Sequence, residues 1–268
     1  MTVTAAIDPV SRYSFDNDDP ESVGRHSHLS DILDGLTFRR LAAVGDLAGK
    51  RCLEVGAGGG SVARWMAEQG GDVLATDLNV RHLPVGAGFR VLRHDLVTEP
   101  VPDGPWDLIH ARLVLLHIPQ REAVLARLAA SLAPGGAIVI EDWATEFGRL
   151  CLSAPDAETA GIIEHYRDLL VNTVLPARGN DPTWAASVHE RMVGLGLEAQ
   201  TVIEAESWPG GSPGALLIAV NVAQLRDDFV AAGFTEEHIQ RLYAAVRDPR
   251  LVVRGHFTYS TLGRRPHA

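Results

Sequence analysis

The sequence predicts an α/β fold, a mostly parallel sheet with helices on both faces, with an N-terminal helical cap and C-terminal helical lid insertions. Two observations carry that expectation. From Arg51 to Trp143, short apolar runs alternate with segments of helical period, the pattern of parallel strands joined by crossover helices. Within it, Leu53-Glu54-Val55 enters the glycine turn Gly56-Ala57-Gly58-Gly59-Gly60, and Ser61 opens a helical segment. A strand, a glycine turn and a helix N-terminus form the corner at which such sheets bind nucleotides.

The elements follow in order. Tyr13 to Leu47 holds a loop and an amphipathic helix around Leu29, Ile32, Leu33, Leu36 and Leu41. Arg51–Val55 is the first strand, and Val62, Trp65 and Met66 follow at helical spacing until Gly70-Gly71. Asp72–Asp77, Phe89–Arg93 and Trp106–His110 are the next strands. Pro119 sits at a helix start, with Val124, Leu125, Leu128 and Leu132 on one face. Pro134-Gly135-Gly136 then turns into a strand over Ala137–Glu141. Beyond Glu146, helices are expected over Ala160–Leu175, Thr183–Leu195, Gly214–Ala232 and Glu236–Val246. Strands are expected over Ala199–Trp208 and around Leu251–Leu262. The expected organisation is a cap over residues 1–48, a nucleotide-binding core over 49–145, and a lid with sheet-completing strands over 146–268.

Composition limits the function. The net charge of −10 argues against a nucleic-acid surface, since phosphate neutralisation needs clustered Lys and Arg. Lys50 is the only lysine, which removes a lysine base or Schiff base elsewhere. Cys52 and Cys151 stand far apart with no CxxC pair, so neither a zinc knuckle nor a disulfide framework is expected. With no signal-like leader and no apolar run long enough for a bilayer, a cytoplasmic protein without membrane contact is expected.

Glu54 decides what the corner binds. A pyrophosphate beside that carboxylate would be repelled, whereas the ammonium and sulfonium of S-adenosylmethionine would be attracted. Asp77 follows the turn by the interval at which an acid grips vicinal ribose hydroxyls, with Leu78 beside it. Asp95 is placed to accept from an adenine amino group, with the Leu96 N–H as ring partner, and His110 and Ala111 would flank the methionine portion.

These residues resemble the class I S-adenosylmethionine-dependent methyltransferase pattern, a Rossmann-like sheet. The match comprises Glu54-Gly56-Gly58-Gly60 in E-x-G-x-G-x-G spacing with Ala57 inside it, Asp77, Arg93-His94-Asp95-Leu96, and Leu132-Ala133-Pro134-Gly135-Gly136. Leu113-Val114-Leu115-Leu116-His117-Ile118-Pro119 further resembles small-molecule methyltransferases of bacterial natural-product pathways. The resemblance implies S-adenosylmethionine as cofactor and methyl transfer to oxygen or nitrogen, less readily carbon, of a small-molecule acceptor. It also implies His117 as a base and Asp142, with Glu141 beside it, as the partner acid at the end of the fifth strand. Leu116 stands where such proteins often carry a first histidine. A helix-capping role for His117 is the competing expectation.

Arg112 is expected to tie down the lid. Tyr13, Arg25, His26 and His28 lie where a cap closes, and Trp143, Trp184 and Trp208 offer an aromatic wall for the acceptor. No metal site is expected, because the fourth strand ends His110-Ala111-Arg112 without a carboxylate cluster. A homodimer is the expected assembly. Two alternatives stay open: a protein that binds the cofactor without methylating, as a cyclase or binding module, and an NAD-dependent oxidoreductase.

Overall fold

A computed structural model describes residues 22–84, 86–102, 104–145 and 148–267; Tyr13 lies outside them. The sheet strands are β1 (Arg51–Val55), β2 (Asp72–Asp77), β3 (Arg90–Arg93), β4 (Trp106–Arg112), β5 (Leu132–Ala144), β7 (Glu198–Glu204) and β10 (Phe257–Arg264). They run in the order β3-β2-β1-β4-β5-β10-β7, parallel from β3 through β5, with β10 antiparallel to both neighbours. The order reverses between β1 and β4, so their carboxyl ends open the crevice in which such sheets hold ligands.

Neighbouring residues of the central strands feed opposite faces. Leu53, Leu74, Ile109 and Ile138 join one core with Val124, Leu125 and Leu128 of α3 (Arg121–Ala130) and Val188 and Met192 of α6 (Trp184–Gly194). Cys52, Val73, Leu108 and Val139 join a second core with Val62 and Met66 of α2 (Ser61–Glu68). Burial on both faces explains why these strands read as continuous apolar runs. Leu29, Leu33, Leu36 and Leu41 of α1 (Ser22–Ala42) are buried, and α1 lies against α7 (Pro213–Gln224) and α2.

Several elements differ from expectation. The Pro134-Gly135-Gly136 turn is absorbed into β5 at a register shift opposite Trp106 and Leu108. Leu132 consequently belongs to β5, not to the face of α3. The strand expected over Ala199–Trp208 divides into β7 and β8 (Ser207–Pro209). The segment around Leu251–Leu262 divides likewise into β9 (Val252–Arg254) and β10. Strands β8 and β9 join β6 (Cys151–Ser153) in a separate three-stranded antiparallel sheet. Trp208 fixes this split. Its buried ring lies where a Cβ on Gly214 would come within 2.1 Å and one on Gly255 within 2.7 Å.

The lid helices also subdivide. α4 (Ala157–Leu169) passes through a π turn over Leu170–Val174 into α5 (Leu175–Ala177). The helix expected over Gly214–Ala232 breaks at Leu225 into α7 and α8 (Arg226–Ala231), before α9 (Glu236–Ala245). Among the described residues, no helix is long and apolar enough to cross a membrane.

Candidate active site

A cleft of about 760 Å³ opens at the carboxyl ends of β1, β2 and β4. Its floor is the glycine turn. Gly56, Gly58 and Gly60 have φ of 65°, 53° and 78°, the left-handed region that side chains resist. At Gly56 space forbids a side chain as well, because a Cβ would lie 2.4 Å from Val114 Cγ2. The turn therefore packs directly on the loop after β4.

Asp77 braces this turn. Its Oδ2 accepts from the Gly58 amide at 2.9 Å and its Oδ1 from the Asn79 amide at 3.0 Å. Burial raises its pKa, opposed by the bonds from Asn79 and Gly58. Each oxygen retains acceptor capacity toward the cleft. Asp95 closes its own turn, accepting from the Val97 amide at 2.9 Å and the Thr98 hydroxyl at 2.7 Å. Although burial pushes its pKa up, the bonds from Thr98 and Val97 prevail and lower it.

Beneath the floor lies a buried charged network. His110 Nδ1 meets Glu54 Oε2 at 2.7 Å, and its Nε2 meets Glu141 Oε2 at 3.4 Å. Burial works against the imidazolium, but the charges and hydrogen bonds of Glu54 and Glu141 outweigh it and raise the pKa to about 9. Glu141 also accepts from Thr37 of α1 and, at 2.7 Å, from Ser260 of β10. Arg112 pairs with Asp34 at 2.9 Å and donates to Thr37 at 2.9 Å. The tie expected of Arg112 thus runs to α1, the N-terminal helix.

At the other end of the cleft stands His117. Its Nδ1 accepts from the Asn180 side-chain amide at 3.0 Å. Burial first, and then the charges of Arg25 and Arg121, hold its pKa well below the usual histidine range. Leu113 enters this loop at φ 54°, an outlier for a bulky residue. Arg25 and His26 of α1, Arg178, and Gln224 of α7 complete the wall. His26 covers Gly58, where a Cβ would lie 3.5 Å from its Nε2.

Glu54, Gly56, Ala57, Gly58, Asp77, Leu78, Asp95, Leu96 and His117 therefore line one cleft. Three expected site residues do not: His110 and Ala111, buried in β4, and Asp142, buried in β5. His110 faces the carboxylates of Glu54 and Glu141 below the floor. Asp142 accepts from Trp184 Nε1 at 3.0 Å and from the Val114 amide at 3.2 Å. Its pKa is pushed up to about 8 by burial, against those hydrogen bonds.

Trp143, Trp184 and Trp208 are core residues outside the cleft. Asn180, Arg178 and Gln224 were not foreseen as site residues, and nothing in the local pattern singles them out. Arg178 and Asn180 sit in an ordinary polar turn (Arg178-Gly179-Asn180-Asp181), and Gln224 ends a helix.

A family model described as a methyltransferase domain matches residues 26–239. Two methyltransferases of Strobilurus tenacellus are similar: str3 is 34% identical over 147 residues and str2 is 40% identical over 107. The alignments take in 53% and 37% of this chain and 51% and 38% of those proteins. A ubiquinone biosynthesis O-methyltransferase of Bordetella avium is 33% identical over 129 residues, 44% of this chain and 52% of its own. The chain spans about half the length, or less, of the curated relatives it matches.

Among solved structures, the phosphoethanolamine N-methyltransferase 2 of Haemonchus contortus, in complex with phosphomonomethylethanolamine and S-adenosylhomocysteine, has a TM-score of 0.56 at 16% identity. That likeness covers 94% of this chain and 59% of the other. The YcgJ protein of Bacillus subtilis has a TM-score of 0.52 at 15% identity, over 91% and 100%. Both are likenesses of fold.

Proposed function

This chain belongs to the methyltransferase-domain family, and from that premise we propose that it is an S-adenosylmethionine-dependent enzyme methylating oxygen or nitrogen of a small-molecule acceptor. One observation carries the reading. Glu54, the glycine turn, Asp77 and Asp95, ordered along the sequence, converge on a single cleft at the point where the strand order reverses.

The residues fit the cofactor. Asp77 keeps lone pairs toward the cleft for two ribose hydroxyls. Leu78, 40% exposed there, and the largely buried Leu96 offer apolar faces to an adenine, and Asp95 offers an acceptor to its amino group. Glu54 acts through its neighbours. With one imidazolium between two carboxylates, the network behind the turn keeps one negative charge, which favours a sulfonium and an ammonium over a pyrophosphate. His110 and Ala111 support the methionine end from within β4.

S-adenosylmethionine supplies a methyl group already activated on a sulfonium. The protein's part is to bring the acceptor into line and exclude water. His117 is the polar side chain for the acceptor. Asp142 holds the Val114 amide and Trp184, and so fixes the loop that carries His117. The ubiquinone-biosynthesis relatives favour oxygen as the methylated atom, and the Leu113–Pro119 resemblance favours a secondary-metabolite acceptor. The net charge of −10 supports a small molecule over nucleic acid.

Mass spectrometry after incubation with S-adenosylmethionine and a panel of phenolic, carboxylic and amino metabolites tests this. The expected result is one acceptor gaining one methyl group for each S-adenosylhomocysteine formed. Cofactor binding without any methylated product across the panel would favour the cyclase or binding-module alternative.

A further inference from the structure

The acceptor end of the cleft has two walls from distant parts of the chain. One is the loop after β4, which brings Val114 and His117; the other is the lid turn between α5 and α6, which brings Arg178. Arg121, at the start of α3, joins them. Its Nε donates to Leu115 O at 3.2 Å, on the loop. Its Nη1 donates to Asp181 Oδ2 at 3.0 Å, on the turn. Its Nη2 spans both, donating to Gly179 O at 2.5 Å and reaching Leu116 O at 3.5 Å. All three guanidinium nitrogens are therefore engaged across one seam.

The seam is close-built around that clip. The Asp181 amide donates to Leu116 O at 2.9 Å. At Gly179, with φ 82°, a Cβ would lie 2.9 Å from Pro119 Cγ. Seated there, the turn brings the Asn180 side-chain amide to His117 Nδ1 at 3.0 Å. The Arg121 side chain is 13% exposed, so water screens these bonds little. A lysine carries its three donors on one atom and cannot bridge acceptors this far apart. Arg191 offers a matched comparison. It lies 5.3 Å from the Trp184 ring, as Arg121 lies 5.9 Å from it, but it bonds Glu122 and Ser187 and neither wall.

On the methyltransferase reading above, we propose that Arg121 is a positioning residue for the acceptor, acting through His117: its guanidinium clips the lid turn to the loop after β4 and so keeps His117 on Asn180. The cofactor end is built separately, from the glycine turn, Asp77 and Asp95, none of which Arg121 bonds. Loss of the clip should therefore spare cofactor binding and spoil alignment of the acceptor, where a displacement of about 1 Å costs on the order of a hundredfold in rate.

Nitrogen-15 NMR of histidine and arginine side chains, on protein saturated with S-adenosylhomocysteine, tests this. In the wild-type protein the Arg121 Nη1 and Nη2 signals should be separate, since rotation of a clipped guanidinium is hindered. Arg121→Lys and Arg121→Gln should both shift or broaden the His117 ring signals, and Arg191→Gln should leave them in place. All three variants should bind S-adenosylhomocysteine within about twofold of the wild-type affinity. With an acceptor from the metabolite panel, kcat of Arg121→Lys should fall about 100-fold at unchanged cofactor KM.

His117 signals that stay unchanged in both Arg121 variants overturn the proposal, as do signals that move equally in Arg191→Gln. An undiminished kcat in a variant whose His117 signals move also overturns it. Should the Arg121 variants fail to fold, averaged Nη signals in the wild-type protein would overturn it and separate ones uphold it. Failure of S-adenosylhomocysteine to bind the wild-type protein would instead overturn the methyltransferase reading itself.

Discussion

Gly56 shows how tightly one residue ties the floor of the cleft to its wall. A Cβ there would lie 2.4 Å from Val114 Cγ2 at a φ of 65°. Gly56→Ala is therefore expected to destabilise the protein by about 1–3 kcal/mol through strain and clash, read as a lower midpoint in urea unfolding. Single residues were legible where chemistry and spacing coincide. Glu54, Asp77 and Asp95 each stand at a strand end, and the structure brings all three to one cleft. His110 was legible as a position, but its partners were not. Its two carboxylate partners come from β1 and β5, and only the sheet register brings them together. Asn180 lies 63 residues from the His117 it contacts, and a lone Asn in a polar turn signals nothing.

Among the elements, the loop after β4 carries the acceptor end, and it is held from behind by β5 and α6. Asp142 makes that link through the Val114 amide and the Trp184 indole. Trp184→Phe keeps the ring and deletes the donor. It should cost about 1–3 kcal/mol for the bond left unmade around a buried carboxyl, measured by urea unfolding. It should also loosen the His117 loop, read as faster amide exchange at Val114 and His117. The central strands were legible because burial on both faces leaves long apolar runs. The small β6-β9-β8 sheet was not, since its strands are three residues each and Trp208 sits against Gly214 and, 47 residues on, Gly255. The β5 bulge was misread as a turn because Pro-Gly-Gly signals turns and irregular strand backbone alike.

For the molecule as a whole, buried histidines of opposite kinds set the pH range of stability. His110 has its folded pKa raised from 6.5 to about 9. Its contribution is fully present below pH 6.5 and is lost as pH rises through about 9, on the order of 3 kcal/mol. Asp142, raised from 3.8 to about 8, contributes a loss that begins near pH 4 and is complete by about pH 8. His117, lowered, and His256, lowered to about 4, act in the opposite sense. Their contribution is present above pH 6.5 and is lost as pH falls, that of His256 through about 4. Unfolding free energy should therefore peak near neutrality. His110→Gln should be less stable at neutral pH, with its deficit shrinking by about 3 kcal/mol as pH rises past 9. A deficit that stays constant across that range would mean His110 is not the buried cation.

The charge behind the glycine turn and the acid beside it bear on the central claim, that this cleft holds S-adenosylmethionine. Calorimetric titration of S-adenosylhomocysteine into the wild-type protein and into Asp77→Ala tests it most directly. The expected result is one site in the wild-type protein, weakened about 10- to 100-fold in Asp77→Ala, the loss of hydrogen bonds to a charged group. No binding to the wild-type protein, or equal affinity in a folded Asp77→Ala, would contradict it.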